Sequence, residues 1–493
     1  MRARSLLPLA VAYFAAGCAV GPAYHRPQAA VPSRWTAPTA TGTSAGVSPV
    51  DDAWWKSFRD TELDALVLRA VQQNYDLKAS IARVQEARAS LGTSKSSFYP
   101  QINAGVSSER ARQFGVGLVP APQTPAGVRA QPFPYETNEY RGEFDAAWEL
   151  DVFGRIRRQT QAARADLRAS EQDRRGVLIA VIADVARYYA ELRGAQLRLG
   201  IANKNVAVAE DEVKLTRDLA QAGQATQRDV AQAETQLETL RAQIPQLDFA
   251  IESSIHRLSV LTGQQPGALR QELTTAAALP VVPPEIPVGL PSDLLTRRPD
   301  IESANAQLAA ATARVGEAKA DYFPRFTLFG TAGRQATQLH DLTLGLGNYF
   351  AAGPSVSLPV FTGGRIRSNV AFRSAQAREA LDVYQRTVLV ALEETENGLV
   401  NYADEQSRRD HLEASVRSSQ DAMNLADAQY RAGLADFLTV LDAERTLFTN
   451  EDLLAQSQTE IVVDLVALYK ALGGGWQPFP LEAKTGNGIP YPQ

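Results

Sequence analysis

Apolar residues between positions 156 and 220 fall at Leu178, Ile182, Val185, Tyr189, Leu192 and Leu199. Spacings of three, four and seven lay them in one stripe along a helix. Ile461, Leu465, Leu468 and Leu472 repeat the spacing near the other end of the chain. Stripes sustained in this way predict helices packed lengthwise on one another in coiled-coil fashion. Other stretches alternate instead. In "YRGEFDAAWELD" Tyr140, Gly142, Phe144, Ala146, Trp148 and Leu150 share one side, and Arg141, Glu143, Asp145, Ala147, Glu149 and Asp151 the other. That is a strand with an apolar face opposite an acidic one. "NYFAAGPSVSLPV" alternates likewise, with Phe350, Ala352, Pro354, Val356, Leu358 and Val360 opposite Ser355 and Ser357, and weaker strands are predicted near 101–110 and 325–334.

The chain repeats itself. "SIARVQEARASLGTSKSSFYPQINAGVS" runs into Pro100 as "QLAAATARVGEAKADYFPRFTLFG" contains Pro324, an offset of 224. "ELDVFGRIRRQ" matches "LPVFTGGRIRSN", and "AQAGQATQRDVAQAETQL" matches "YRAGLADFLTVLDAERTL", both at an offset of 210. The first repeat therefore carries fourteen extra residues, and the Gly and Pro content of "GVGLVPAPQTPAGVRAQPFPYETN" predicts a long exposed loop there. Each half reads as helix, strand, loop, strand, very long helix, reversal, helix. The predicted divisions are a signal segment 1–17, an extended equatorial segment 18–60, a first repeat 61–262 with a β-hairpin 99–151, and a proline-rich linker 263–292. A second repeat 293–472 with a hairpin 323–361 and an equatorial tail 473–493 complete the chain.

Residues 156 to 220 contain no proline; as one helix they would extend about 100 Å. Residues 226–262 and 293–320 together match that length, so two stacked helices would return alongside one continuous helix, and 366–431, 437–472 and 61–97 would repeat the arrangement. Both reversals are encoded locally, near 221–226 and 432–436. Gly223 and Gly433 can take the left-handed conformation that ends a helix. Thr226 with Asp229 forms a capping pair for the next helix, and Asp436 can cap its counterpart alone.

Four strands of about 9 to 11 residues suit a membrane β-structure, yet hydrocarbon tolerates no open sheet edge. Four are too few to close, so several chains must share one barrel. Two chains would give a narrow, filled eight-stranded interior and three a twelve-stranded one able to hold water. Arg141, Glu143, Asp145, Glu149 and Asp151 would line that lumen.

Charge and the N-terminal segment narrow the class. Arg2 and Arg4 precede an apolar stretch from Leu6 to Ala16, and the only cysteine, Cys18, follows Ala15, Ala16 and Gly17. A single thiol makes no disulfide within the chain and no cysteine metal cluster. "YFAAGCAV" resembles the bacterial lipoprotein processing box, which implies cleavage before Cys18, its lipidation and, with Ala19 following, retention at outer-membrane lipid. Cleavage would move the formal charge from -5 to -7, and no basic cluster suits nucleic acid. After residue 17 no run of eighteen apolar residues offers a membrane helix; a crossing would be made with strands.

Taken together, "CAVGPAYHRP", "FYPQ", "YFPRF", the "VFGRIR" and "FTGGRIR" pair and "LVALYKALGGGW" resemble the outer membrane factor family, in the lipoprotein branch of TolC-like channels. The resemblance implies a mainly α protein with a β-barrel: a homotrimer whose twelve-stranded barrel, four strands per chain, continues as a long periplasmic α-helical barrel with a mixed equatorial region. It implies docking through a periplasmic adaptor protein to an inner-membrane RND-type pump, and export of drugs or small toxic compounds. The family's gate pattern falls on Leu438, Asp442 and Arg445, which at i, i+4 and i+7 also share one helical face. At the offset of 210 the first hairpin carries Arg228, Gln232 and Thr235 instead, so only the second is expected to supply the gate. As bare sequence, Asp442 and Arg445 read first as a solvated intrachain pair worth about 0.2 to 1 kcal/mol, and it is the resemblance that makes them a gate.

Catalysis finds no support. His25, His256, His340 and His411 are scattered, no HExxH or phosphate loop occurs, and the glycines of "GLGNYFAAG" precede a strand rather than a helix. No catalytic residue, metal site or cofactor beyond the covalent lipid is expected. A conduit for type I protein secretion or metal export, and a lipid-anchored periplasmic coiled-coil scaffold without a channel, are the alternatives.

Overall fold

A computed structural model describes residues 19–37, 43–44, 52–120, 128–344 and 347–480, with the backbone alone for 44, 113–120, 128–135 and 344. Cys18 and the segment before it lie outside the described residues. The chain divides into two compact units, one formed by 1–26, 86–167 and 307–381 and the other by 27–85, 168–306 and 382–493.

The first unit holds an antiparallel sheet in the order β1 (Gln101–Pro120), β2 (Val128–Leu150), β3 (Arg325–Ala336), β4 (Asn348–Ser357). The registers are continuous: Ile102 pairs with Ala146, Ala146 with Gly330, and Gly330 with Ala352. The first hairpin corrects the expectation of a long loop. β1 and β2 run to 20 and 23 residues and remain paired out to Pro120 and Val128, leaving only 121–127 outside the described residues. Pro132 and Pro134 lie in β2 opposite Val116 and Phe114. Two positions apart, both face the same edge of a ribbon, so one orientation puts both missing N–H groups away from the partner.

The second unit is built of helices, two of which, Tyr75–Ser96 and Pro299–Ala320, run on into the first. α1 (Thr61–Gln73) and α2 (Tyr75–Ser96) are separated at Asn74, whose side chain accepts from the Leu77 N–H at 3.0 Å and donates to the Leu261 carbonyl at 3.0 Å. α3 (Arg155–Gln221) and α7 (Arg365–Arg431) are single helices of 67 residues each, about 100 Å apiece; both begin in the first unit and continue into the second. The stretch 226–262, expected as one helix, breaks into α4 (Gln227–Arg241) and α5 (Ile244–Leu261). Pro245 stands in the first turn of α5, where its lacking N–H is no loss, whereas inside a helix it would remove a bond and clash with the preceding turn. Pro299 likewise opens α6 (Pro299–Ala320) and shortens the predicted 293–320. α8 (Phe437–Ala471) runs unbroken.

The stripe of α3 is the core of this unit. Leu178, Ile182, Val185, Tyr189 and Leu192 are all buried together with Ile461, Leu465, Leu468 and Leu472. Trp54 stacks on Tyr469 at 5.1 Å and Trp55 on Phe479 at 5.8 Å, closing the cluster with aromatic surface. Gly194 permits a close approach of α3 to α8: a Cβ there would lie 2.3 Å from the Thr459 hydroxyl oxygen.

Candidate functional site

Two surfaces carry chemistry, one in each unit. On the sheet, the register sorts side chains by parity. Even positions bring together Ile102, Val106, Phe144, Trp148, Leu328, Phe350 and Val356, all of them exposed, Val106 to 88% and Phe350 to 86%. Burying such a side chain is worth about 1.5–3 kcal/mol; a bare set of seven is tolerable only where the medium itself is apolar. Odd positions bring together Asn103, Ser107, Arg141, Glu143, Asp145, Glu149, Thr327, Thr331, Tyr349 and Ser355. Glu143 accepts a hydrogen bond from the Tyr349 hydroxyl, Arg141 pairs with Glu139 at 2.6 Å, and Asp145 is exposed. Glu149 takes both Nε and a terminal nitrogen of Arg155, at 2.8 and 2.7 Å.

Asp151 departs from the expected lumen set. β2 ends at Leu150, and Asp151 accepts from the Ile156 and Arg157 N–H groups at 2.9 Å and from the Arg157 guanidinium at 3.0 Å. It satisfies free amides at the start of α3, an attachment that alternation along a strand cannot reveal.

The second surface surrounds the helix reversals. Gly223 and Gly433 have φ of 76° and 71°, the left-handed region that a Cβ disfavours. Thr226 and Asp229 form a reciprocal capping box: the Asp229 N–H donates to the Thr226 hydroxyl at 3.3 Å, and the Thr226 N–H donates back to the Asp229 carboxylate at 2.9 Å. The Thr226 donors hold the Asp229 carboxyl below its usual range. Asp436 caps α8 by accepting from the Thr439 hydroxyl at 2.7 Å and its N–H at 3.1 Å. Those bonds, and more weakly Arg228 from the first hairpin, lower its pKa as well.

Between the reversals and the main core a second apolar cluster joins α3, α4 and α8 through Ala209, Val213, Leu237, Leu240, Phe437, Leu441, Leu447 and Phe448. The opposite face of α8 presents Leu438, 40% exposed, with Asp442 and Arg445. Among the described residues neither Asp442 nor Arg445 has an ion-pair partner, so the intrachain pair that the sequence permits does not form. In the first hairpin Arg228 is exposed, 3.7 Å from Asp229, the Thr235 hydroxyl bonds back to the Ala231 carbonyl, and Gln232 buries its carbonyl oxygen without a partner.

Sequence reasoning passes over one group here. Glu444 occupies the apolar stripe of α8 and has no exposed surface, and neither of its carboxylate oxygens receives a donor. Glu212 of α3 faces it within hydrogen-bonding reach. Burial raises the carboxyl of Glu444 well above neutrality, and Glu212 and Asp427 add to the rise; burial raises Glu212 too. Two carboxylates that share a dry site disfavour a second charge, and one of them is driven towards its protonated form.

Comparison with known proteins identifies what the chain is similar to. The family model described as "Outer membrane efflux protein" matches residues 66–264 and 290–474. The toluene efflux pump outer membrane protein TtgC of Pseudomonas putida is 32% identical over 481 residues, covering 96% of each chain. The pyoverdine export outer membrane protein OpmQ of Pseudomonas aeruginosa is 33% identical over 451 residues, 91% of this chain and 92% of its own. Among solved structures, the outer-membrane channel OprN superposes with a TM-score of 0.83 at 36% identity, over 94% of this chain and 100% of that one.

Proposed function

The chain belongs to the outer membrane efflux protein family, and from that premise we propose how its two surfaces work. It is an outer-membrane channel of efflux pumps. The observation that carries its mechanism is the sheet: four strands, a bare apolar face, a polar and acidic face, and two edges unpaired among the described residues. In hydrocarbon the apolar face is satisfied and the edges are not. Three copies would close twelve strands around a lumen lined by Arg141, Glu143, Asp145 and Glu149.

Cargo enters from the periplasmic side, handed over by an adaptor protein and an inner-membrane pump of the RND type. Relatives' names specify toluene in one case and pyoverdine in another. For this chain the cargo is small organic compounds, drugs among them, and the conduit itself performs no chemistry on them. Leu438 narrows the aperture, and Asp442 pairs with Arg445 of a neighbouring copy. Three exposed pairs at about 0.2–1 kcal/mol each hold such an aperture by only a few kcal/mol. Adaptor binding that favours the open arrangement by a similar amount is enough to shift it. Cys18 carries the lipid that tethers each copy to the outer membrane.

Deleting the gene should raise cellular accumulation of the pump's dyes and antibiotics, with wild-type chain restoring export. Unchanged accumulation, with the pump and adaptor present and no second channel serving them, would refute the export role.

A further inference from the structure

The helix that presents Leu438, Asp442 and Arg445 carries an acid on its hidden side. Phe437, Leu441, Glu444 and Phe448 follow one another along α8 at spacings of four, three and four, and all are buried. A carboxyl in such a stripe is normally met by a donor; among the described residues neither oxygen of Glu444 has one. The same turns hold Leu438, Asp442 and Arg445 exposed on their outer side. Whatever moves Glu444 therefore moves these three.

The helices packed round Glu444 bring it negative charge and no cation. From α3 Glu212 faces it, and from α7 Asp427 adds a further negative charge, itself held by Arg431 at 2.9 Å. Tyr430 of α7 lies in the same cluster, its ring 5.8 Å from that of Phe437. α4 contributes Leu237 and Leu240. The arginines beside these helices are engaged elsewhere, Arg217 with Glu234 and Arg241 with Glu210, each at 2.6 Å. Ionising both Glu444 and Glu212 would set two uncompensated charges face to face in an apolar enclosure. With Glu444 protonated it can donate to the Glu212 carboxylate, a hydrogen bond strengthened by the charge on its acceptor.

We propose that Glu444 and Glu212 form a proton-held clasp between α8 and α3 that keeps the aperture shut, and that loss of the proton releases it. This deepens the channel reading and rests on its gate. The proton of the clasp passes to water or hydroxide. The second negative charge it leaves behind is relieved when α8 draws away from α3 and water reaches both carboxylates. Leu438, Asp442 and Arg445 ride on the turns that move, so Glu444 is a positioning residue that touches no cargo. The closed arrangement binds the proton more tightly than the open one, and the open form therefore gains as pH rises. For one proton per chain the ratio of open to closed grows by up to about tenfold per pH unit.

The test is planar-bilayer recording of the purified full-length protein between about pH 7 and about pH 9, with infrared spectra of the same preparations. The wild type should open more often as pH rises. Glu444→Gln keeps a donor toward Glu212 that it cannot lose, so it should stay at the level of the acid end, at least about tenfold below the wild type at the alkaline end. Glu212→Gln removes the like charge and offers Glu444 an amide donor, so its opening should set in at lower pH than in the wild type. The infrared band of a protonated carboxyl should fade from the wild type over the same range and be missing from Glu444→Gln throughout. Equal pH dependence in the wild type and Glu444→Gln, an unshifted Glu212→Gln profile, or a wild type without the band at pH 7 overturns the clasp and leaves the channel reading standing. Bilayers silent throughout, with Asp442 and Arg445 replaced by alanine as well, overturn both.

Discussion

Glu444 offers the sharpest physical test of the helical region. Its carboxyl is buried among Leu441, Leu447 and Phe448, faces Glu212, and stays protonated at neutral pH. The sign follows from linkage: a folded-state pKa raised above the unfolded one favours the fold at low pH, and that support is lost as pH rises toward the folded value. Keeping a carboxyl of ordinary pKa 4.5 protonated at pH 7 costs about 3 kcal/mol, at 1.36 kcal/mol per unit. Glu444→Gln removes the titration while keeping shape and a donor toward Glu212. Hydrogen exchange of α8 peptides around 437–450, corrected for intrinsic rates, should slow roughly a hundredfold at pH 7. The gain should vanish below about pH 4.5, where both side chains are neutral. Equal protection at pH 7, or a gain that grows on acidification, would refute a protonated Glu444.

Three further outcomes are expected. Replacing Asp442 and Arg445 together by alanine should raise single-channel conductance or antibiotic leakage; unchanged conductance would remove these residues from the gate. Thr226→Ala deletes one half of the capping box and should destabilise the start of α4 by about 1 kcal/mol, read as faster exchange of the Asp229 and Val230 amides, with Thr226→Ser restoring protection. Intact mass of the mature protein should begin at Cys18 and include acyl chains, and Cys18→Ser should lose them; an unmodified Cys18 in the wild type would end the lipid assignment.

The long helices are legible because a proline-free stripe is a local property: Leu178 to Leu192 and Ile461 to Leu472 bury the faces that their spacing defines. The four-stranded sheet is legible for the same reason, since alternation at Tyr140–Leu150 and Phe350–Val356 is local. What escapes is set by partners. The Gly- and Pro-containing stretch after residue 114 takes strand form because each side of the hairpin supplies the other's ladder, which composition alone does not report. Asp151 continues an alternating pattern but serves the helix after it. Glu444 is visible as an acid in the stripe of Phe437, Val440, Leu441, Leu447 and Phe448. Its partner Glu212 is not, because 232 positions separate them and only tertiary packing brings them together. Pro245 and Pro299 show the reverse case, in which apolar spacing runs on while the backbone cannot.

The central claim is that a sheet with two open edges becomes a membrane-spanning conduit when copies of the chain complete it. Planar-bilayer recording of the detergent-purified protein, with native mass spectrometry of the same preparation, tests it most directly. A mass of three chains together with discrete, salt-carried current steps is the predicted result. A monomer, or an oligomer that leaves the bilayer electrically silent even after Asp442 and Arg445 are replaced by alanine, would contradict it.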